Sequence, residues 1–420
     1  MRSVLILSTS DFGGAGLYNK EILEGLEKCG FEVQMVVAKK RSDSNLVSVV
    51  PLSLWQRLIN KYGRYIPFTW KNRSLKAKKS SNKDYYFLEP FEQRTIYTFR
   101  QILEKITIKP DVIVACWTSG FLNFDILGKI GTYFSSTTYV YTADMSPFTG
   151  GCHYAWDCVG YMHNCMDCPA LCLKTRHLAA ENIVKKKRAI EKYGIKAFAF
   201  SDFTFNQVRQ SSLFKYQEYI PSFQGLVSEE YFYIDKEKII RINYSIPENR
   251  IVVVLGALNL YERRKGFKEL INALNLLQRE KPDLAKKMLL IAIGDEKDIQ
   301  CSIELRFLPF TKNLKILGDY YRLADIYANA SLEDSGPQML LQAMACGAIP
   351  VSFDTGFGSE LLDGVTGFKA PVGDINSFSD KLIEAAELSE VKRLQMLNSI
   401  AEKISRDNSL SRLHQVFNSL

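Results

Sequence analysis

The chain has 420 residues, of which 46% are hydrophobic and 24% are charged, with a formal net charge of +8. This length exceeds one ordinary hydrophobic core and predicts two domains of roughly 200 residues each. No apolar run reaches the ~18 residues needed to cross a bilayer, and the run after Arg2 has no signal-peptide cleavage site. We therefore expect a globular enzyme-sized protein that is cytoplasmic, or peripheral on the cytoplasmic face of the inner membrane.

The first forty residues predict a β-α-β unit. A strand at 4–8 leads into the glycine loop 11–16, which contains Gly13 and Gly14, and a helix to about Lys28 is followed by a strand at 31–38. Glycines after a first parallel strand let a ligand approach the backbone, so Gly13 and Gly14 are candidate binding residues. A tight turn would need glycine as well.

A basic segment spans residues 51–83. It contains nine Lys or Arg and no acidic residue, interleaved with Trp55, Leu58, Ile59, Tyr62, Tyr65, Ile66, Phe68 and Trp70. Cations with aromatic anchors fit an anionic membrane surface. A solvated surface segment is an equally weighted interpretation. Nucleic acid is not expected, because no nucleic-acid motif accompanies the charge.

Two further strands are predicted at 111–116 and 138–142, with helices at 97–106 and 121–130. Each strand ends in a polar loop, and Asp144 lies in the second of these loops. Its position after a strand makes Asp144 a candidate site residue.

Residues 150–173 carry five of the nine cysteines. Clustered thiols in a reducing compartment favour metal ligation over disulfides, and Cys165-x-x-Cys168 has a zinc-knuckle spacing. Cys152 and Cys158 would complete a structural zinc site of four sulfurs. The alternative is that unbound thiols pack an irregular excursion. A catalytic metal is not expected, since a catalytic zinc usually has histidine ligands and an open position.

The architecture then repeats after a mixed-polarity junction at 218–249. A helix at 177–193 and a strand at 197–201 precede the junction; strands at 251–255, 289–293, 314–317 and 326–328 and a helix at 267–278 follow it. Gly256 ends the first of these later strands, and Arg264 and Lys265 lie in the next loop. Arginine and lysine there form a candidate diphosphate clamp, although a charged surface turn would look similar.

A short helix is predicted between Pro337 and Gly347, because proline favours a helix start and glycine a helix end. Gln338 and Gln342 lie four residues apart and share one face. With Asp334 before the helix, they form a candidate site for polyols and phosphate. Alternatively, neighbouring loops satisfy both glutamines. Helices from Ile375 and from Leu388 end the chain.

Several motifs together resemble a known family. They are GGAG, PFTGGCHYAWDC with NCMDCP, FSDFTFNQVRQSSLF, the segment from LGALN to RRKGF, SLEDSGPQMLLQAMACGAIPVSFDTG, and LLDGVTGF. The chain resembles retaining glycosyltransferases of family 4, in particular the colanic acid and capsular polysaccharide branch.

The resemblance implies a GT-B fold of the α/β class, with two Rossmann-like doubly wound domains facing across a cleft. It places an acceptor-side domain at 1–220, a nucleotide-sugar domain at 221–400, and a C-terminal helix at 401–420 that packs back on the first domain.

The resemblance also assigns site residues. Arg264 and Lys265 match the family's diphosphate-binding motif, and Asp334 and Gln342 match its Glu-x7-Glu motif for donor sugar and ribose. The catalytic set is then Asp144, Arg264, Lys265 and Asp334, with Gly13, Gly14, Gly256, Gln338 and Gln342 binding the donor.

Two departures accompany this match. The family's His-Asp pair corresponds to Ala143-Asp144, so the histidine is missing, and only two residues separate Gly318 from Tyr321 where the family has a helix.

The expected function is transfer of a sugar, with retention, from a nucleoside-diphosphate sugar to a lipid-linked saccharide acceptor in bacterial surface polysaccharide biosynthesis. An alternative is a catalytically silent homologue that binds sugar nucleotide or glycan as a partner subunit. A third interpretation is sugar-phosphate release by hydrolysis or phosphorolysis, although no lysine motif suggests the pyridoxal phosphate of related phosphorolytic enzymes.

Overall fold

A computed structural model describes residues 1–67, 69–79, 82–85, 88–231, 238–257, 259–296 and 299–420. Phe68 and Leu258, which the sequence analysis used, lie outside the described residues. The chain divides into two compact units: Met1–Leu226 with Leu410–Leu420 form unit 1, and Val227–Ser409 form unit 2.

Unit 1 is an α/β unit. Its strands are β1 (Ser3–Ser10), β2 (Glu32–Lys39), β3 (Val47–Val49), β4 (Val112–Ala115), β5 (Thr137–Thr142) and β6 (Lys196–Ala199). Its helices are α1 (Gly13–Lys28), α2 (Leu54–Tyr62), α3 (Trp70–Lys79), α4 (Phe99–Leu103), α5 (Phe124–Phe134), α6 (His177–Tyr193) and α7 (Asp202–Gln210). Short 3-10 helices cover Lys83–Tyr85, Ser146–Phe148 and Gly160–Met162.

The six strands of unit 1 form one parallel sheet in the order β3-β2-β1-β4-β5-β6. The central strand β1 is buried along its whole length, and its Val4 pairs with Val33 and Val112. Continuous burial explains why residues 4–7 of this strand are an unbroken apolar run and do not alternate with polar residues. The strand order reverses beside β1, and such a reversal is where open α/β sheets bind ligands, at the carboxyl ends of their strands.

The C-terminal residues return to unit 1 through the last helix, α16 (Arg406–Ser419). The Phe417 ring lies 5.6 Å from the ring of Phe198 and 6.5 Å from that of Phe31, both edge-on. A Cβ on Gly25 of α1 would lie 2.9 Å from Leu413 Cδ2. The end of α16 is therefore part of the hydrophobic packing of unit 1.

Unit 2 repeats the architecture. Its strands are β7 (Ile251–Gly256), β8 (Met288–Ile293), β9 (Glu304–Leu308), β10 (Ile326–Asn329), β11 (Ile349–Phe353) and β12 (Phe368–Ala370). Its helices are α8 (Lys238–Asn243), α9 (Phe267–Glu280), α10 (Pro282–Ala285), α11 (Leu314–Arg322), α12 (Gln338–Ala345), α13 (Phe357–Leu361), α14 (Ile375–Ala386) and α15 (Glu390–Lys403), with 3-10 helices at Glu229–Tyr231 and Arg263–Lys265.

The second sheet is also parallel and has six strands in the order β12-β11-β10-β7-β8-β9. If β7 is counted as the first strand and the sheet is read from β9 to β12, the order is 3-2-1-4-5-6, as in unit 1. Each unit is therefore a doubly wound, Rossmann-like α/β unit, which confirms the predicted fold class.

One predicted strand of unit 2 is wrong. Residues 314–317 were expected to be a strand, but they begin the helix α11. The Asn313 side chain caps this helix by accepting hydrogen bonds from the backbone N–H groups of Lys315 and Ile316. The helix α11 follows β9 and includes Tyr321. The expectation that the family's helix is absent from this segment is therefore also wrong.

Two further differences concern unit 1. The three glycines expected in a loop at 11–16 all belong to α1, which begins at Gly13. The basic segment forms α2 and α3 over much of its described length. Across the described part of the chain, no helix combines the length and apolar character needed to cross a membrane.

Candidate functional site

A cluster of charged side chains lies at the carboxyl edge of the sheet in unit 2. The 3-10 helix Arg263–Lys265 follows β7, and Asp334 lies in the loop between β10 and α12. Arg264 Nη1 and Lys265 Nζ each donate to Asp334 Oδ2 at 2.7 Å. Arg264 Nε also donates to Oε1 of Glu262 at 2.6 Å. Three residues that the sequence assigned to the donor site are thus in direct contact.

Burial strengthens the electrostatic interactions among these charges. The side chains of Arg264 and Asp334 are each 8% exposed, and that of Lys265 is 21% exposed. Burial alone would raise the pKa of Asp334, but the charges of Lys265 and Arg264 outweigh it and lower this pKa to about 2. Asp334 is therefore a carboxylate at neutral pH, and its other oxygen, Oδ1, accepts a hydrogen bond from the backbone N–H of Gly336 at 3.2 Å.

Two glycines bring the backbone segments of this cluster together. Gly266 has a φ of +63°, and a Cβ there would lie 1.7 Å from the carbonyl oxygen of Ala330. Gly356 has a φ of +51°, and its Cβ would lie 2.6 Å from the carbonyl oxygen of Asp334. A side chain at either position would push the Asp334 loop away from its neighbours.

The two glutamines of α12 have different environments. Gln342 Oε1 accepts a hydrogen bond from the hydroxyl group of Tyr321 at 3.0 Å. Gln338 Nε2 is buried and has no hydrogen-bond partner among the described residues. An unpaired buried amide is costly, so Gln338 is a candidate contact for a bound ligand.

Gly256 at the end of β7 has a packing role. A Cβ there would lie 2.3 Å from Met339 Cε, so the absence of a side chain lets α12 approach β7. In unit 1, Gly13 and Gly14 are different, because a Cβ on either would meet no atom within 4 Å among the described residues. The space beside these two glycines is open.

Asp144 of unit 1 has a partner that the sequence analysis did not identify. His153 Nδ1 lies 2.7 Å from Asp144 Oδ2, and His153 is 5% exposed. Burial by itself lowers the pKa of His153, but the negative charge of Asp144 raises it above the ordinary value. Position 143 is an alanine, and Asp144 is thus paired with a histidine nine residues further on. The TGGCHY motif contained it, but no spacing rule linked it to Asp144.

The cysteines form no metal site. Across the residues that the structure describes, no group of three or more His, Cys, Asp or Glu side chains is placed to hold a metal ion. The zinc predicted on Cys152, Cys158, Cys165 and Cys168 is therefore not supported.

Packing accounts for these cysteines instead. Cys152 and Cys168 are buried in an apolar cluster against which Cys158 and Cys165 pack. A hydrogen bond to Cys168, together with burial, raises the pKa of Cys152 well above its usual value. Burial raises the pKa of Cys165 to about 11. Burial also raises the pKa of Cys158, so Cys152, Cys158 and Cys165 stay protonated and pack as small apolar side chains in an irregular segment. Cys168 differs, because the hydrogen bond from Cys152 lowers its pKa to about 7.

The second unit matches a protein family. Residues 249–387 match the model of the family described as glycosyl transferases group 1. This segment contains Arg264, Lys265, Asp334, Gln338 and Gln342. No curated protein matches the chain in sequence.

Solved structures resemble the whole chain. A glycosyltransferase from Rickettsia africae ESF-5 has 12% sequence identity and a TM-score of 0.61, over 99% of this chain and 96% of that one. Anabaena Alr3699/HepE, in complex with UDP and glucose, has 14% identity and a TM-score of 0.62, over 99% of each chain. The catalytic domain of starch synthase IV from Arabidopsis thaliana, bound to ADP and acarbose, has 13% identity and a TM-score of 0.64, over 100% of this chain and 99% of that one.

These likenesses show the fold. The chain has the GT-B fold of two Rossmann-like units, and the family match in unit 2 supports a glycosyltransferase.

Proposed function

We propose that the protein is a retaining glycosyltransferase that moves a sugar from a nucleoside-diphosphate sugar to a saccharide acceptor. The acceptor is lipid-linked, and the reaction belongs to bacterial surface polysaccharide biosynthesis of the colanic acid and capsule type. The observation that carries this proposal is the contact of Arg264 and Lys265 with Asp334, inside the segment that matches the glycosyl transferase family.

The charged cluster suits a diphosphate leaving group. Arg264 and Lys265 would stabilise the negative charge that develops as the bond between the sugar and the diphosphate breaks. The acceptor oxygen forms the new bond to the same sugar carbon, and its proton passes to the leaving diphosphate. Asp334 is ionised, so it would hold hydroxyl groups of the donor sugar, while Gln338 and Gln342 contact the rest of the donor.

The cluster is close to electrically neutral without a donor. Arg264 and Lys265 are balanced by Glu262 and Asp334 through hydrogen bonds of 2.6–2.7 Å. A diphosphate must therefore compete with Asp334 for Lys265. In this proposal, the less buried Lys265 turns from Asp334 to the diphosphate when the donor binds.

Replacing Lys265 tests the assignment. Lys265→Ala should lower kcat by about 10²-fold or more, because it removes a cation aimed at the leaving group. Lys268→Ala is the matched control, since Lys268 is an exposed lysine three residues further along the chain. Both variants should unfold cooperatively like the wild type. Full transfer by Lys265→Ala would refute its role.

The donor itself is best found by thermal shift. A ligand that binds only the folded state raises its stability, by about 2.7 kcal/mol at a hundredfold excess over Kd. UDP-, GDP- and other nucleotide sugars should be compared at equal concentration. The Anabaena structure holds UDP and glucose, so uridine donors come first. No shift with any of these donors would contradict the proposal.

A membrane surface is proposed to hold the acceptor end of the reaction. Helix α2 has no buried residue, and Leu54 and Trp55 are 77% and 76% exposed. Ser53 and Gln56 form a capping box that fixes the start of this helix. The surrounding segment carries nine cations and no acid, so its charge is complementary to anionic lipid.

Vesicle sedimentation tests this surface. Leu54→Glu with Trp55→Glu should abolish binding to vesicles that contain anionic lipid, and high salt should weaken binding by the wild type. Val391→Glu with Leu394→Glu is the matched control, because Val391 and Leu394 of α15 are also exposed, at 68% and 61%. Equal binding by both double variants would contradict the proposal.

A catalytically silent homologue is the second candidate. It is favoured by Gln342, which stands where the family has a carboxylate and whose amide oxygen already accepts from Tyr321. Such a protein would bind sugar nucleotide without turnover. Product formation with any acceptor in a broad panel would rule it out.

A further inference from the structure

The Asp144–His153 contact ties two separate stretches of unit 1 together. Asp144 lies just after β5, and His153 comes from the cysteine-rich segment. His153 Nδ1 contacts Asp144 Oδ2 at 2.7 Å, and the backbone N–H of Met145 donates to the carbonyl oxygen of His153 at 3.0 Å. The side-chain contact and the backbone hydrogen bond together fix the two stretches against each other.

The second oxygen of Asp144 is also held. The backbone N–H of Ser146 donates to Asp144 Oδ1 at 2.8 Å. One oxygen of the carboxylate thus contacts the His153 imidazole and the other accepts from the backbone of the following turn, so the carboxylate is held in one orientation. Its side chain remains 18% exposed, whereas that of His153 is 7% exposed. Asp144 is therefore the accessible member of the pair.

A buried ion pair supports the turn from behind. Lys186 of α6 contacts Glu92, and their side chains are 1% and 6% exposed. Lys186 Nζ donates to the carbonyl oxygens of Ser146 and Thr149, and Ser146 Oγ donates to Glu92 Oε2 at 3.0 Å. Burying a charged pair is costly unless its remaining hydrogen bonds are satisfied, as they are here. The buried Lys186–Glu92 pair therefore holds in place the turn that follows Asp144.

We propose that His153 is a positioning residue for glycosyl transfer, which holds the Asp144 carboxylate in the orientation that contacts the sugar being transferred. This inference rests on the proposed function and on Asp144 being a site residue, as its position just after β5 predicts. Of the pair, the Asp144 side chain is the more exposed, at 18% against 7% for His153, so Asp144 is assigned the contact with the sugar. A displaced catalytic group can lower a rate by about 10²-fold, so an orienting partner matters even without touching the substrate.

Three variants of His153 and Asp144 test the role. His153→Leu keeps much of the volume but removes the hydrogen bond, and we expect kcat to fall about tenfold or more with little change in KM for the donor. His153→Asn places an amide N–H near the former Nδ1 position and should recover most of kcat. In an Asp144→Asn background, His153→Leu should add little further loss, because the two residues act as one unit.

His163→Leu is the matched control. His163 is an exposed histidine of the same segment, and its replacement should leave kcat unchanged. Equal losses in His153→Leu and His153→Asn, or fully additive losses of His153→Leu and Asp144→Asn, would overturn the positioning role. A folding defect alone would reduce the active fraction in both His153 variants alike.

The transfer activity of the wild type distinguishes a failure of the His153 role from a failure of the glycosyltransferase proposal. Transfer by the wild type together with full activity of His153→Leu overturns the role of His153 only. The absence of transfer by the wild type, with donors that bind, overturns the glycosyltransferase proposal and this role with it.

Discussion

The hydroxyl group of Tyr321 donates a hydrogen bond to Oε1 of Gln342 at 3.0 Å. Burial raises the pKa of Tyr321 well above its usual value, so the phenol stays neutral and remains a donor. The Gln342 oxygen is thus engaged by the protein. A carboxylate at this position would instead accept hydrogen bonds both from Tyr321 and from a diol.

The first prediction concerns this position. Gln342→Glu should tighten the binding of the preferred nucleotide sugar by several-fold, because hydrogen bonds to a carboxylate are roughly twice as strong as those to an amide. Isothermal titration calorimetry measures the change. Gln395→Glu serves as the control, since Gln395 is an exposed glutamine of α15 outside the donor site. Weaker binding by Gln342→Glu would show that the amide N–H groups hold the ligand.

The second prediction concerns stability. Asp334→Asn should lower the free energy of unfolding by about 3 kcal/mol, because it leaves the buried guanidinium of Arg264 and the amine of Lys265 without their shared carboxylate. Urea unfolding measures this loss. Asp283→Asn removes an exposed partner of Lys286 and should change nothing measurable. A loss equal to that control would mean that water already screens the cluster.

The third prediction is the pH dependence of that loss. The pKa of Asp334 is lowered to about 2 from 3.8, so its contribution to stability is fully present above about pH 4. It is lost as the pH falls through 2. The stability gap between wild type and Asp334→Asn should therefore be constant from pH 7 to pH 5 and narrow below pH 4. A gap that widens on acidification would contradict this assignment.

The fourth prediction uses two glycines with positive φ. Gly266→Ala should destabilise the protein by more than about 3 kcal/mol, because its Cβ would lie 1.7 Å from the carbonyl oxygen of Ala330. Gly373→Ala is the matched control, with a φ of +78° and no neighbour within 4 Å among the described residues. Only the backbone cost of about 1–2 kcal/mol should remain there. Thermal unfolding of both variants distinguishes a steric clash from simple backbone strain.

Much of the fold could be predicted from the sequence. Buried parallel strands are short, continuous apolar runs, so β1, β7 and β8 were found within two residues of their bounds. The helix α6 was found at its observed bounds, because Gly194 ends it in the left-handed conformation. The family resemblance assigned Arg264, Lys265 and Asp334 to one donor site, since the residue pattern alone gave the Arg-Lys loop and Asp334 as separate candidates.

The errors came from features that local patterns do not contain. The run 314–317 is short and apolar, and such a run fits a strand or a buried helix equally well. Only the hydrogen bonds of Asn313 mark it as a helix start. His153 was missed because its partner lies across a fold-back of the chain. The cysteines were assigned by spacing, whereas their geometry in the apolar cluster determines their role.

The return of residues 410–420 to unit 1 has a consequence for how the protein is made. Phe31 and Phe198 are synthesised early, yet the Phe417 ring that packs on both of them follows the whole of unit 2. While the ribosome translates unit 2, the apolar surface of unit 1 on which Phe417 packs remains exposed. Nascent domains with exposed apolar surface are prone to misassembly, so this unit has a long vulnerable period. The packing of unit 1 can therefore be completed only after all of unit 2 has been synthesised.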